Sequence, residues 1–246
     1  MESTTRRCPH CGAQLEPFTL PALFGSKEPH VIGWKPCQCE GARRERAERL
    51  AAEEEQRRRE EDEKRRRAYE KAGIKPRFIA AESPMAAGIL EGVRSGVGAY
   101  ICGPVGTGKT HLASAVARMA VDEGMSVKVT DMLGILAAFK ATYGGEGSED
   151  AVLGRLSRCR LLVIDDLGKE APTEWTLGQV FRVINDRYET MRPVIVTTQF
   201  GKSDLIRRLA RHGDAETAVA IVSRLSEMCR KVEMAGEDRR LCHGKG

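Results

Sequence analysis

From about residue 76 the chain alternates short apolar runs with longer stretches whose apolar residues recur every three or four positions. "VGAYICG" is a near-continuous apolar run closing on Gly103 and reads as a buried strand. "THLASAVARMAVDEG" carries helical periodicity and stops at Gly124. "SVKVTD" reads as a second strand, "MLGILAAFKATYG" as a helix and "RLLVIDD" as a buried strand. A helix from about Thr173 to Met191, the strand "PVIVTTQ" and the helical "AIVSRLSEMCRK" follow. Strand and helix in alternation predict a parallel sheet with helices on both faces, an α/β fold.

The front of the chain has a different pattern. Residues 41 to about 70, "GARRERAERLAAEEEQRRREEDEKRRRAYEK", are good helix formers of mixed charge with few apolar positions. Glu and Arg at three- and four-residue spacings predict an exposed helix laced by side-chain ion pairs. "AGIKPRF" ends it, with Gly73 as the stop and Pro76 enforcing it. Residues 1 to about 40 are rich in Cys, Pro and Gly, and too few to build a core of their own. The expected organisation is a small module over 1–40, a charged helical linker over 41–75 and an α/β domain over 76–246.

Bulk properties narrow this little. The 246 residues are 41% hydrophobic, enough for a sizeable core, and carry a net charge of +5. That mild excess permits a nucleic-acid partner without arguing for one. "MESTTRRCPH" lacks the apolar region of an export signal, and no apolar run is long enough to span a bilayer. The expectation is a cytoplasmic protein with no membrane partner.

The cysteines change the picture more. There are eight, and without an export signal they read as thiols or metal ligands rather than disulfides. Cys102 and Cys159 sit in or beside apolar runs and read as core residues. Cys229 and Cys242 have no partner motif. Cys8, Cys11, Cys37 and Cys39 form two tight pairs around a 25-residue loop, a set that can close a tetrahedral Zn²⁺ site. The spacing is not that of a standard finger. Four reduced cysteines in a loose arm are the alternative, and His10 and His30 are possible substitute ligands. A tight turn between Cys8 and Cys11 would point His10 outward.

"GPVGTGKT" is a complete P-loop pattern between a predicted strand and a predicted helix. Its residues are Gly103, Pro104, Val105, Gly106, Thr107, Gly108, Lys109 and Thr110. The glycines let backbone N–H groups turn inward around phosphates, and the following helix points its positive end at them. Lys109 supplies a point charge for the outer phosphates, and Thr110 a hydroxyl ligand for Mg²⁺. ATP and Mg²⁺ are the expected ligands. In "LLVIDDLG", Asp165 emerges where open parallel sheets bind ligands and can hold the Mg²⁺ shell. Asp166 can polarise an attacking water, or merely cap a helix.

With "AGIKPRF", "GPVGTGKT", "LLVIDDLG", "VIVTTQF", "IVSRLSE" and "GEDRR" in this order, residues 72–240 resemble AAA+ ATPases of the bacterial helicase-loader group, the DnaC/DnaI type, and the related IstB-type transposition helper ATPases. "CPHCG…WKPCQCE" is similar to the zinc-bearing front end of many loader-like proteins. The resemblance implies nucleotide and metal binding by Lys109, Thr110 and Asp165. It places Asp166 where many relatives have Glu, and Gln199 where the polar sensor is most often Asn. Arg224 matches the arginine finger that reaches a neighbouring subunit's ATP. Arg240, beside Arg239, falls near the basic residue that senses nucleotide from the C-terminal side. Asp for Glu shortens one reach by a methylene and Gln for Asn lengthens the other; the changes could compensate or mark a slow ATPase.

The function this implies is an ATP-dependent loader that delivers a hexameric replicative helicase onto single-stranded DNA, as a homo-oligomer when assembled on its partner. Two alternatives stand beside it: a transposition helper that selects or remodels target DNA, and a zinc adaptor whose P-loop binds nucleotide with little hydrolysis. A nucleotide kinase fits less well, because a strand intervenes between the two nucleotide motifs and because of "TTQ" and "SRL". Lys140 and Tyr143, after the second strand, could contact phosphate and stack a base, or be ordinary surface and core residues.

Overall fold

The computed structural model describes residues 6–20, 30–145, 147–171, 173–212, 214–236 and 238. The chain divides into two compact units, Met1–Lys64 and Arg65–Gly246, and the division falls inside a helix.

Among its described residues the first unit has almost no hydrophobic interior. Strands β1 (Pro17–Leu20) and β2 (His30–Trp34) pair antiparallel, with a bulge between Phe18 and Thr19. Phe18, Leu20, Val31 and Ile32 all stay exposed. Cys8 and Ala42 are the only buried apolar residues among those described in this unit. Helix α1 (Glu40–Ala72) has no apolar stripe and is carried by pairs such as Arg44–Glu48 at 2.8 Å and Arg59–Glu55 at 2.9 Å. Each exposed pair stabilises a helix by only about 0.3–0.5 kcal/mol, and Arg preceding Glu is the weaker order.

The second unit opens with the last turns of α1, where Tyr69 and Ala72 are buried and Tyr69 donates to Asp122 Oδ1 at 2.7 Å. A short 3-10 turn (Pro76–Phe78) and α2 (Ala86–Arg94) lead into β3 (Gly98–Cys102). Then come α3 (Lys109–Asp122), β4 (Val127–Asp131), α4 (Met132–Ala141), α5 (Glu149–Arg158) and β5 (Leu161–Asp165). Helix α6 (Glu174–Glu189), β6 (Val194–Thr198), α7 (Lys202–Leu209), α8 (Ala215–Met228) and β7 (Cys229–Glu233) complete it. The sheet is all parallel, in the order β4-β5-β6-β3-β7.

Strand alternation explains why the runs are apolar throughout. Tyr100, Leu162, Ile164, Val194 and Val196 pack with α4 to α8 on one face. Ala99, Ile101, Leu161, Val163 and Ile195 pack with α2, α3 and the end of α1 on the other. A strand covered on both faces has no polar side to show. The strand that follows the P-loop in sequence, β4, lies at the sheet edge; β6 is the one that stands between the P-loop strand and β5. Among the described residues no helix is long and apolar enough to cross a membrane.

Candidate functional site

At the end of β3 the chain turns through Gly103 (φ 147°), Gly106 (φ 80°) and Gly108 (φ 95°), the last being the N-cap of α3. Two of these positions exclude any side chain. A Cβ on Gly103 would fall 2.1 Å from the Met234 carbonyl, and one on Gly106 would fall 1.9 Å from Asp238 Oδ1. Asp238 belongs to the "GEDRR" stretch, so that segment reaches the loop; Arg239 and Arg240 lie outside the described residues.

The loop holds its own lysine. Lys109 is buried, and its Nζ donates to the carbonyls of Gly103 at 2.8 Å and Pro104 at 2.6 Å. Thr107 Oγ1 donates to the same Pro104 carbonyl at 2.9 Å. Thr110 Oγ1 donates to Asp165 at 2.9 Å (Oδ1) and 3.2 Å (Oδ2). From β6, Thr197 Oγ1 donates to Asp165 Oδ1 at 2.6 Å and accepts the Asp166 N–H at 2.9 Å. Burial pushes the Asp165 carboxyl up, against the pull of these hydroxyls. A buried carboxylate beside a threonine hydroxyl is an all-oxygen donor set of the kind Mg²⁺ takes, and a cation there would offset the desolvation.

A cavity of about 390 Å³ lies against this loop. Val105, Gly106, Gly108, Lys109 and Thr110 line it from the P-loop, and Asp166 and Gln199 from the ends of β5 and β6. Asp165 instead lines an adjoining cavity of about 250 Å³, which shares Thr110 and Phe78 with the first. Asp166 adopts a left-handed backbone (φ 58°), and its carboxylate pairs with Lys169 Nζ at 2.7 Å. It caps no helix; α6 is capped by Thr173, whose hydroxyl accepts the Thr176 N–H.

The sequence reading had no role for Lys169, Arg77, Phe78 or His111, all of which line the larger cavity. Arg77 and Phe78 lie within the quoted "AGIKPRF", which was the available signal. His111 follows the P-loop threonine directly and bonds the Glu82 carbonyl at 2.9 Å.

Arg224 does not line this cavity. It sits on α8 with its guanidinium 4.9 Å from the Phe181 ring centre and 5.5 Å from that of Tyr188, donating to the Ala220 carbonyl at 3.3 Å. Glu227, one turn on, accepts instead from Tyr188 Oη at 2.9 Å. Lys140 Nζ lies 5.3 Å from the Trp175 ring centre. Tyr143 Oη accepts from Trp175 Nε1 at 2.7 Å and donates to Glu149 at 2.9 Å.

In the first unit the sulfurs of Cys8, Cys11, Cys37 and Cys39 all lie within 4.8 Å of one another. Cys8 to Cys39 is 3.8 Å and Cys11 to Cys37 is 3.5 Å. Four thiolates about 2.3 Å from a tetrahedral Zn²⁺ would be about 3.8 Å apart, so the set fits that ion. The His10 backbone N–H draws the Cys8 thiol down to about 6. Cys11 is favoured as thiolate by the Ala13 N–H, yet the sulfurs of Cys37, Cys39 and Cys8 and burial push it up to about 12. His10 is no ligand: its Nε2 pairs with Glu45 at 2.8 Å. Arg46 donates to the Cys37 carbonyl at 2.7 Å, and the Ala42 N–H to Cys39 Sγ at 3.5 Å. The side chain of His30, and Cys242, lie outside what is described.

Comparison with known proteins gives the chain a family. The sequence model of the IstB-like ATP binding protein family matches residues 91–245. The replicative helicase loader DnaC of Escherichia coli K12 is 31% identical over 108 residues, 44% of either chain. An insertion sequence IS21 ATP-binding protein of Pseudomonas aeruginosa is 32% identical over 141 residues, 57% of this chain and 51% of that one. The chain thus aligns with about half the length of these relatives. Among solved structures, the DnaC helicase loader covers 65% of this chain and 100% of its own, with a TM-score of 0.55 and 23% identity. That likeness is one of fold, a parallel sheet covered by helices.

Proposed function

The chain belongs to the IstB-like ATP binding protein family, and from that premise we propose that it is an ATP-hydrolysing helicase loader, delivering a hexameric replicative helicase onto single-stranded DNA. The observation that carries the loader reading is the convergence of four cysteine sulfurs ahead of the P-loop unit. A partner-docking module with no hydrophobic core needs such a staple, and it resembles the front end of loader-like proteins. The domain reading assigns docking to residues 1–40, the charged linker to 41–75 and ATP to 76–246.

Within the ATP site each group has a task. Lys109 leaves its carbonyl partners for the outer phosphates. Thr110 and Asp165 would hold Mg²⁺, which would supply positive charge to the phosphates. Gln199 orients the attacking water, and Asp166 accepts its proton. The water oxygen bonds to the terminal phosphorus as the bond from that phosphorus to the ADP oxygen breaks, and the electron pair leaves with ADP. Arg224 lies off its own cavity, which suits action on a neighbouring protomer's ATP, and Arg240 would sense nucleotide from the C-terminal side.

A transposition helper is the second reading. It is favoured by the family model itself and by the longer match to the insertion-sequence protein. Co-purification of the full chain with the replicative helicase and with the transposase encoded in the same genome separates the two. The loader reading expects a stable complex with the helicase, lost in Cys37→Ser while ATP binding persists. Capture of the transposase alone would reject it in favour of the second.

A further inference from the structure

The Walker-type acid Asp166 has a partner that none of the assigned roles uses. Lys169 is three residues further on, its Nζ is 2.7 Å from Asp166 Oδ2, and both side chains line the cavity that holds Lys109, Thr110 and Gln199. The contact arises from backbone geometry. Asp166 at φ 58° and Gly168 at φ 90° fold the chain back on itself immediately after β5.

The backbone around Lys169 is pinned. Leu167 N donates to the Thr197 carbonyl at 2.9 Å, and Thr198 Oγ1 donates to the Leu167 carbonyl at 2.7 Å. Gly168 N donates to Glu170 Oε2 at 2.9 Å. Arg208, from α7, donates to the carbonyls of Gly168 at 3.0 Å and Glu170 at 3.1 Å. The lysine side chain itself is 57% exposed, against 32% for its aspartate partner. A fixed backbone thus carries a long, largely exposed lysine side chain at the wall of the site.

Two cations therefore differ in kind. Lys109 is buried and bonded to the loop carbonyls, so it is built into the phosphate cradle. Lys169 is held by an exposed ion pair, an interaction worth only about 0–1 kcal/mol. Such a pair yields readily to a stronger anion. The terminal phosphate of ATP, with more charge than a carboxylate, is that anion, and ADP lacks it.

We propose that Lys169 is a specificity-determining residue that distinguishes ATP from ADP, by exchanging its pairing with Asp166 for the terminal phosphate. The exchange also frees the Asp166 oxygen for the attacking water only when a phosphate is there to be attacked. This deepens the ATP-site reading above and rests on it.

The test is equilibrium binding of ADP and of the β,γ-methylene analogue of ATP, both with Mg²⁺, to the full chain. Wild type, Lys169→Ala and Lys169→Arg are compared. A charge-assisted contact removed from one ligand only should weaken the ATP analogue roughly tenfold or more in Lys169→Ala and leave ADP unchanged. Lys169→Arg should restore most of the loss, since it keeps the charge. Thermal melting of the variants should be unchanged, because the replaced side chain is exposed. Equal affinities of wild type and Lys169→Ala for the ATP analogue would overturn the proposal. Equal loss for both nucleotides would overturn it too, showing a structural role in the loop. Wild type that binds neither nucleotide removes the ATP-site reading itself, and this one with it.

Discussion

The two units of this chain solve the same problem by different means. The second buries apolar side chains on both faces of a five-stranded parallel sheet. Among its described residues the first buries almost none, leaves Phe18 and Ile32 exposed on its hairpin, and gathers four sulfurs instead. Burial is distributed over dozens of contacts, so the loss of one apolar side chain removes only part of it. A metal cluster concentrates the same work in four atoms, so one missing ligand removes most of it.

Metal removal should break the comparison most sharply. Structural zinc contributes roughly 10–16 kcal/mol of apparent binding energy in small peptides at neutral pH. Stoichiometric zinc is expected in freshly reduced protein. A chelator should expose the 1–40 segment to proteolysis while the thermal transition of the 65–246 unit stays in place. Absence of zinc by metal analysis would contradict the assignment.

The core-held unit has its own concentrated point. Arg187 on α6 is 1% exposed and donates to the carbonyls of Cys159 at 2.6 Å and Arg160 at 3.0 Å, and also to those of Leu156, Ser157 and Pro193. It closes the C-terminal end of α5, where carbonyls lack helix partners and positive charge is favoured. Burial lowers its pKa, so the folded state bears a desolvation cost for the charge. Arg187→Met should nevertheless destabilise by about 3 kcal/mol or more, because several buried carbonyls are left unpaired at once. Denaturant unfolding checks this; a change below about 1 kcal/mol would mean that water replaces the guanidinium freely.

A smaller effect is expected at Glu170, 2% exposed, whose Oε1 has no hydrogen-bond partner among the described residues. Loss of solvent pushes this carboxyl up. A raised folded-state pKa means its contribution is fully present below the unfolded value and is lost as pH rises through the folded one. Glu170→Gln, neutral at every pH, should therefore flatten that decline and melt higher than wild type on the alkaline side. Parallel melting curves against pH for the two proteins would contradict it.

What was legible in the sequence follows from how local each feature is. The P-loop is contiguous because its backbone must wrap one ligand, so eight residues in a row announce it. Strands β3, β5 and β6 announce themselves because both their faces are buried, whereas β7, with Arg230 and Lys231 exposed, reads as the end of a helix. The cysteine pairs and the tight turn between Cys8 and Cys11 could be seen, but not the pairing of His10 with Glu45. Strand order could not be read at all: nothing local says that β6 separates β3 from β5 and thereby sets Thr197 against Asp165. Arg187 was hidden because a helix pattern treats arginine as surface. Lys169 was hidden because its contact depends on a left-handed aspartate, a conformation that residue type permits but does not dictate.

The two adjacent aspartates of the ATPase unit stand in different surroundings. Asp165 bonds Thr110 and Thr197 within the protein, whereas Asp166 faces the cavity beside Gln199. The direct measurement is Mg²⁺-dependent ATP binding and turnover for wild type, Asp166→Asn and Lys109→Ala under the same conditions. The account predicts that Lys109→Ala loses binding. Asp166→Asn should bind ATP as wild type does and lose turnover by roughly 10²-fold or more, as expected for a group that takes a proton in the transition state. Turnover by Asp166→Asn at the wild-type rate would contradict it, as would loss of binding equal to that of Lys109→Ala.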